Sequence, residues 1–250
     1  MAVLSAEQLA VGFGDAPVLE GVDLTLQAQG LIAIVGPSGV GKSTLLRALA
    51  GPLPPLAGRI EPPRHAPRKA RDRAMVFQSP RRLPGRRVVG NVELGLENLG
   101  VPRAERQSRA RHHLEQVGLG EFLHRWPHHL SGGQQQRVGL ARALAVEPRV
   151  LFMDEPFSAL DAMTRGRLQQ ALIALRRQTT AAIVFVTHDI EEATLLSDRI
   201  MVLGHAGSRQ PARVRALLEV DLPLDERRDD PGFRQTVHEV ERLIGEGAAP

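Results

Sequence analysis

Leu31-Ile32-Ala33-Ile34-Val35-Gly36-Pro37-Ser38-Gly39-Val40-Gly41-Lys42-Ser43-Thr44 decides the fold of this chain. The unbroken aliphatic run Leu31 to Val35 predicts a strand buried on both faces, as in a parallel sheet. Gly36 to Thr44 then fits G-x-x-x-x-G-K-[ST], and Leu45, Leu46 and Leu49 fall on one side of a helix that Gly51 and Pro52 stop. Strand, glycine-rich loop and helix in that order predict a phosphate-binding loop. Backbone N–H groups cradle the phosphates, Lys42 reaches the β and γ oxygens, and the Ser43 hydroxyl ligates magnesium.

Working outward, the same strand-then-helix alternation recurs. Val150 to Met153 predict a second central strand that delivers Asp154 and Glu155 to its carboxyl end, where open α/β sheets hold ligands. Asp154 there suits a hydrated magnesium, and Glu155 suits orienting and deprotonating an attacking water. Ala181 to Val186 predict a third strand with His188 just beyond it, placed to hydrogen-bond a γ-phosphate and the water; a lone histidine also fits a purely structural role. Leu168, Leu172 and Leu175 mark a crossover helix, and Arg199 to Leu203 a further strand. Ala74 to Phe77 read as a strand ending at Gln78, a side chain able to ligate magnesium and report nucleotide state. Phe13 is the sole aromatic near the chain start, and stacking on adenine and packing in the core are both open to it.

Leu130-Ser131-Gly132-Gly133-Gln134 is a second anion-binding signature. Ser131 sits at the expected N-cap of a helix that Pro148 ends, Gly132 and Gly133 permit close backbone approach, and the positive helix end faces a phosphate. At this distance from the first loop it reads as a surface offered to a nucleotide held by another copy. The region from Ser79 to Ala145 is arginine-rich and mostly helical, with Leu114 and Val117 on one face. Pro62 to Arg73 is basic, proline-punctuated and expected as loop. The tail from His205 is less regular until Pro231 starts a helix with Phe233, Val237, Val240 and Ile244 on one stripe.

Composition sets the outer limits. The chain has 250 residues, 42% of them apolar, and no run of eighteen apolar residues. No cysteine is present, which excludes disulfides, thiolate metal sites and cysteine catalysis. The net charge of +4 rests on arginine; with 3% aromatics, no tyrosine and no basic-aromatic interleaving, nucleic acid is not the expected partner. No secretory leader pattern opens the sequence, so a cytoplasmic location is expected.

Together these residues resemble the ATP-binding subunits of ABC transporters, in the family's order across nearly the whole chain. Gly36 to Thr44 (Gly36, Pro37, Ser38, Gly39, Val40, Gly41, Lys42, Ser43 and Thr44) looks like the Walker A loop, and Gln78 like the Q-loop. Leu130 to Gln134 looks like the signature and Val150 to Glu155 like Walker B. Ser158-Ala159-Leu160-Asp161 looks like the D-loop and His188 like the switch histidine. The resemblance implies an α/β P-loop NTPase of the ABC ATPase type, with a mainly parallel central sheet, an antiparallel β edge and an inserted helical subdomain. It places the ATP-binding domain at 1–204, the helical insertion at about 79–145 and a tail at 205–250. It implies ATP and Mg2+ as ligands, Ser43, Gln78 and Asp154 toward the metal, and Glu155 and His188 in hydrolysis. Phe13, the Walker A residues, Gln78, Ser131, Gly132, Gly133, Gln134 and Asp161 are then nucleotide contacts.

The implied assembly is a head-to-tail dimer, a homodimer in the simplest case, with two ATP molecules between Walker A of one copy and the signature of the other. The implied partners are an integral-membrane permease gripped beyond Gln78 and a periplasmic or extracellular substrate-binding protein acting through it. The chain then lies on the cytoplasmic face of the membrane. Val76-Phe77-Gln78-Ser79-Pro80, Leu83-Pro84, Asn91-Val92, Leu94-Gly95-Leu96 and the tail Asp221-Leu222-Pro223 to Phe233 are similar to the importers of nitrate, sulfonates and taurine. Those proteins carry tryptophan after the Leu-Pro, where this chain has Gly85; Leu31 stands where a glutamate is common. The alternatives are an importer ATPase for another small solute, such as a pyrimidine precursor, or a soluble ABC-type ATPase. Repair ATPases of that kind insert a long coiled coil and translation ATPases carry two such domains, and neither feature is present.

Overall fold

The computed structural model describes residues 2–61, 71–78, 84–158, 160–205, 207 and 210–245. Most of the expected loop at 62–73 lies outside the described residues, as do Ser79, Pro80, Leu83 and Ala159. The chain runs β1 (Ala2–Phe13), β2 (Ala16–Gln27), β3 (Leu31–Val35), α1 (Lys42–Ala50), β4 (Ala57–Glu61), β5 (Arg73–Val76), α2 (Val88–Glu97), α3 (Arg103–Gln116) and α4 (Gly132–Ala145). It continues through β6 (Val150–Asp154), α5 (Ala162–Gln178), β7 (Ala182–Val186), α6 (Ile190–Leu196), β8 (Arg199–His205), β9 (Ala212–Glu219) and α7 (Pro231–Gly245). Two compact units emerge: Met1–Pro62 with Ala182–Pro250, and Pro63–Ala181.

In the first unit the strands lie in the order β4-β1-β2-β9-β8-β3-β7. Every residue of β3 is buried because it pairs in parallel on both sides, Leu31↔Ile183 through Ile34↔Val186 with β7 and Ile32↔Arg199 through Val35↔Val202 with β8. Each of its Leu, Ile and Val side chains contributes about 1.5–3 kcal/mol of burial, which accounts for a run with no polar alternation. The start of β3 is fixed by Asp198, whose Oδ2 accepts from Leu31 N at 2.9 Å while its own N–H donates to Leu31 O at 2.8 Å. The other edge is antiparallel, β2 and β4 flanking β1, with alternating buried positions along β1 and β2. Parallel centre and antiparallel edge are those of an α/β P-loop protein.

The tail departs from the expectation of irregular structure after His205. β9 pairs antiparallel with β8, from Arg199↔Glu219 to His205↔Ala212. Its exposed positions are Arg213, Arg215, Leu217 and Glu219, alternating with the more buried Ala212, Val214, Ala216 and Leu218. The outward arginines hid a period-two pattern that short apolar residues carry weakly.

In the second unit β5 and β6 pair in parallel, Arg73↔Val150 through Val76↔Met153, and α2, α3 and α4 pack on one another. α4 begins at the residues expected, with Ser131 as N-cap. α5 buries Leu168, Leu172 and Leu175 on one stripe and starts at Asp161.

Candidate functional site

The glycine-rich loop belongs to the first unit. Gly36 (φ 150°) leads out of β3, and a Cβ there would stand 2.6 Å from Leu203 O. Gly41 is the N-cap of α1 at φ 98°, a left-handed backbone open to glycine, and it supplies no side chain to cap the helix. The first N–H groups of α1 therefore serve an anion better than they serve the protein. Lys42, 8% exposed, donates from Nζ to Gly36 O at 2.8 Å and Pro37 O at 2.9 Å. Its ammonium is thus held over the loop by the loop's own carbonyls. Ser43 and Thr44 continue the first turn. Cradle, positive helix end and captured lysine fit a polyphosphate.

His188 leaves β7 in the same unit and is exposed. Its neighbours fix it. Thr187 Oγ1, buried, donates to Glu192 Oε2 at 2.7 Å and accepts from Asp189 N at 3.0 Å, while Asp189 Oδ1 caps α6 through Glu192 N at 3.0 Å. Residue type alone does not single out these supporting groups, although D-x-x-E at a helix start is a readable cap. Phe13 is 62% exposed at the end of β1, which removes the core reading and leaves an aromatic face in solvent.

The second unit carries the acidic residues. Asp154 ends β6 and is 4% exposed. Glu155 follows at φ 45°, a left-handed conformation costly for a residue with a Cβ and common where function fixes a backbone. Gln78 Nε2 donates to Glu155 Oε2 at 3.0 Å and lies 3.4 Å from Ser158 Oγ; that hydroxyl donates to Glu155 O at 3.1 Å. Gln78 and Glu155, distant in sequence, are therefore in direct contact. With its nitrogen on Glu155, Gln78 keeps its oxygen as the atom suited to a cation. The amide oxygen of Gln78 and the carboxylate of Asp154 in this unit, and the Ser43 hydroxyl in the first, are each hard donors of the kind that Mg2+ takes.

The Ser131 stretch is a closed capping box. Ser131 Oγ accepts from Gln134 N at 3.3 Å, and Ser131 N donates to Gln134 Oε1 at 2.9 Å. Gly132 is open, and a Cβ there would meet nothing within 4 Å, whereas a Cβ on Gly133 would stand 2.0 Å from Thr164 Cγ2 of α5. Gly132 thus keeps the anion-approach reading, and Gly133 has a packing reason that sequence did not show. Asp161 caps α5, its Oδ1 accepting from Thr164 N at 2.9 Å; hydrogen bonds from the Thr164 N–H and hydroxyl hold its carboxyl below the usual aspartate range.

Residues 19–158 match the protein family described as ABC transporter. The chain belongs to the ABC transporter family. As an ABC ATPase it binds ATP and hydrolyses it. It is 44% identical over 226 residues, 88% of this chain and 84% of the relative, to the taurine import ATP-binding protein TauB of Pseudomonas putida. It is 41% identical over 244 residues, 98% and 87% of the two chains, to the aliphatic sulfonates import ATP-binding protein SsuB 1 of Pseudomonas fluorescens. Among solved structures, the ABC ATPase resembles the ATP-binding cassette MJ0796 in a dimeric post-hydrolysis state with ADP and Pi. The TM-score is 0.73 at 29% identity, covering 88% of this chain and 100% of that one. Among the described residues no helix of this ABC ATPase is long and apolar enough to cross a membrane.

Proposed function

We infer that this ABC ATPase energises uptake of a small sulfonate-class anion, with taurine and alkanesulfonates ahead of nitrate. The observation that carries this reading is identity above 40% to taurine and sulfonate import ATP-binding proteins over nearly the whole chain. Its partners are a second ATPase subunit, most simply another copy, an integral-membrane permease, and an external substrate-binding protein acting through that permease. The chain works as a peripheral subunit on the cytoplasmic face. The ATP-binding domain is read as 1–204 with its helical insertion at about 79–145, and 205–250 follow as a tail whose β9 joins the sheet of that domain.

In this reading Phe13 stacks on adenine, and the loop Gly36 to Thr44 holds the phosphates with Lys42 on the β and γ oxygens. Ser131, Gly132, Gly133, Gln134 and Asp161 complete the nucleotide site of the other copy. Ser43, Gln78 and Asp154 would hold Mg2+, which would supply charge neutralisation on the phosphates. Glu155 takes the proton of the attacking water, and His188 orients that water and the γ-phosphate. The hydrogen bond from Gln78 to Glu155 keeps the carboxylate in place.

Gly85 occupies an exposed turn where a Cβ would meet nothing within 4 Å among the described residues. It stands where similar importers usually carry tryptophan, in the segment read as the permease contact.

Glu155→Gln tests the chemistry: ATP turnover is expected to fall at least a hundredfold while an ATP-bound dimer accumulates on size exclusion. Turnover near the wild-type rate refutes the base. For the substrate, the chain is purified with its permease and binding protein in vesicles, and ATPase is read with taurine, ethanesulfonate, nitrate and orotate. Stimulation by the sulfonates supports the reading; stimulation by orotate alone overturns it.

A further inference from the structure

Gln136 lies outside the nucleotide and metal contacts read above, yet it is among the most deeply buried polar side chains of the second unit, 4% exposed on α4. It lies against a void of about 10 Å³ walled by Val76, Leu140, Met153, Phe157 and Leu172, an apolar lining that leaves water little to bind. A carboxamide in such a place is held firmly by whatever hydrogen bond it finds, because leaving it unmade is costly. Its Nε2 donates to Phe77 O at 3.2 Å.

The position of that acceptor is what matters. Phe77 O and Gln78 N belong to one planar peptide unit, so a hydrogen bond on the oxygen fixes the plane from which Gln78 departs. Gln78 in turn reaches Glu155 Oε2 at 3.0 Å. At the other end, Gln136 lies on the helix that Ser131 caps. One continuous path of bonds therefore runs from the Ser131 helix, through Gln136, the Phe77–Gln78 peptide and the Gln78 amide, to the carboxylate of Glu155.

We propose that Gln136 is a positioning residue for hydrolysis, tying the register of the Ser131 helix to the placement of Glu155 through Gln78. A displacement of the helix start is felt at the carboxylate of the same copy. The proposal rests on the reading of Glu155 as the base.

Gln136→Leu, in the full chain, removes the donor while matching the site's volume and polarity. The expected result is a fall in kcat on the order of tenfold, below the roughly hundredfold that a full 1 Å misplacement can cost, with KM for ATP within about twofold. Gln78→Ala combined with Gln136→Leu is expected to be no slower than Gln78→Ala alone, because the second change acts through the first. Wild-type kcat in Gln136→Leu, a loss confined to KM, or multiplying losses in the double variant overturns the proposal. Should Gln136→Leu melt well below the wild type, Gln136→Met, unbranched and able to fill the same space, is read by the same criteria. Failure of the base reading shows separately, as an active Glu155→Gln; an inactive Glu155→Gln beside a fully active Gln136→Leu refutes the positioning role alone.

Discussion

Gly133 illustrates how one residue of a ligand-binding motif answers to the protein's own packing. The Thr164 methyl of α5 occupies the space a Cβ would take, 2.0 Å away, with Leu160 Cδ2 at 3.5 Å. Gly133→Ala is therefore expected to destabilise by about 1–3 kcal/mol through overpacking. Thr164→Ser removes the obstructing methyl and keeps the hydroxyl, so the double variant should recover most of the loss in a thermal or urea melt. Equal melting of Gly133→Ala and wild type would show that Thr164 swings aside at no cost. Gly132, its neighbour in the chain, has no such constraint, and the sequence alone gives the two glycines one appearance.

Among the elements, α3 carries a pH-sensitive group away from the nucleotide residues. His113 is partly buried on that helix, with Nδ1 2.8 Å from Gln116 Oε1. Burial is the main cause that pushes its pKa below the ordinary histidine value of 6.5, against the Gln116 hydrogen bond and with help from His112 and Arg109. The unfolded chain then binds the proton more readily than the folded one. Stability from this group is full above 6.5 and is lost as pH falls from 6.5 through the lower folded value. Melting temperature against pH should thus drop less steeply below 6.5 in His113→Gln than in the wild type; parallel curves refute the assignment. The central parallel strands were well written in the chain, whereas β1, β2, β4 and α6 were not read from their residues. β3 matches its aliphatic run residue for residue, and α1 ends at Gly51, which is left-handed at φ 102°. β9 was obscured because arginines alternate with small apolar residues, and the Gln78–Glu155 and Gln136–Phe77 contacts because pairing across some sixty to eighty residues leaves no local pattern. The left-handed Glu155 was equally illegible, since nothing in Asp154-Glu155-Pro156 requires it.

At the scale of the molecule, charge is architecture as much as surface. Lys42 and Lys69 are the sole lysines, so nearly all positive charge is guanidinium, and the most buried arginine among the described residues holds the tail to its own unit. Arg227, 3% exposed, donates from Nη1 to Ser197 O at 2.7 Å and to Thr194 O and Leu195 O at 3.3 Å, and from Nε to Leu222 O at 3.0 Å. Those first carbonyls are at the carboxyl end of α6, where a cation also meets the negative end of the helix dipole. The planar fork serves several acceptors at once, which a lysine ammonium on a single flexible stem does not. Arg227→Met keeps the stem and removes the fork, leaving buried carbonyls unpaired at about 2–4 kcal/mol in all. For a chain of 250 residues that corresponds to a melting temperature lower by roughly 10 °C, with Arg227→Lys between Met and wild type. Since α6 begins at Ile190, two residues after His188, the Met variant should also lose ATPase activity at temperatures well below its melt, as the helix end frays. A variant that melts with the wild type would show that the tail is held by Phe233 and Val240 of α7 and not by this clamp.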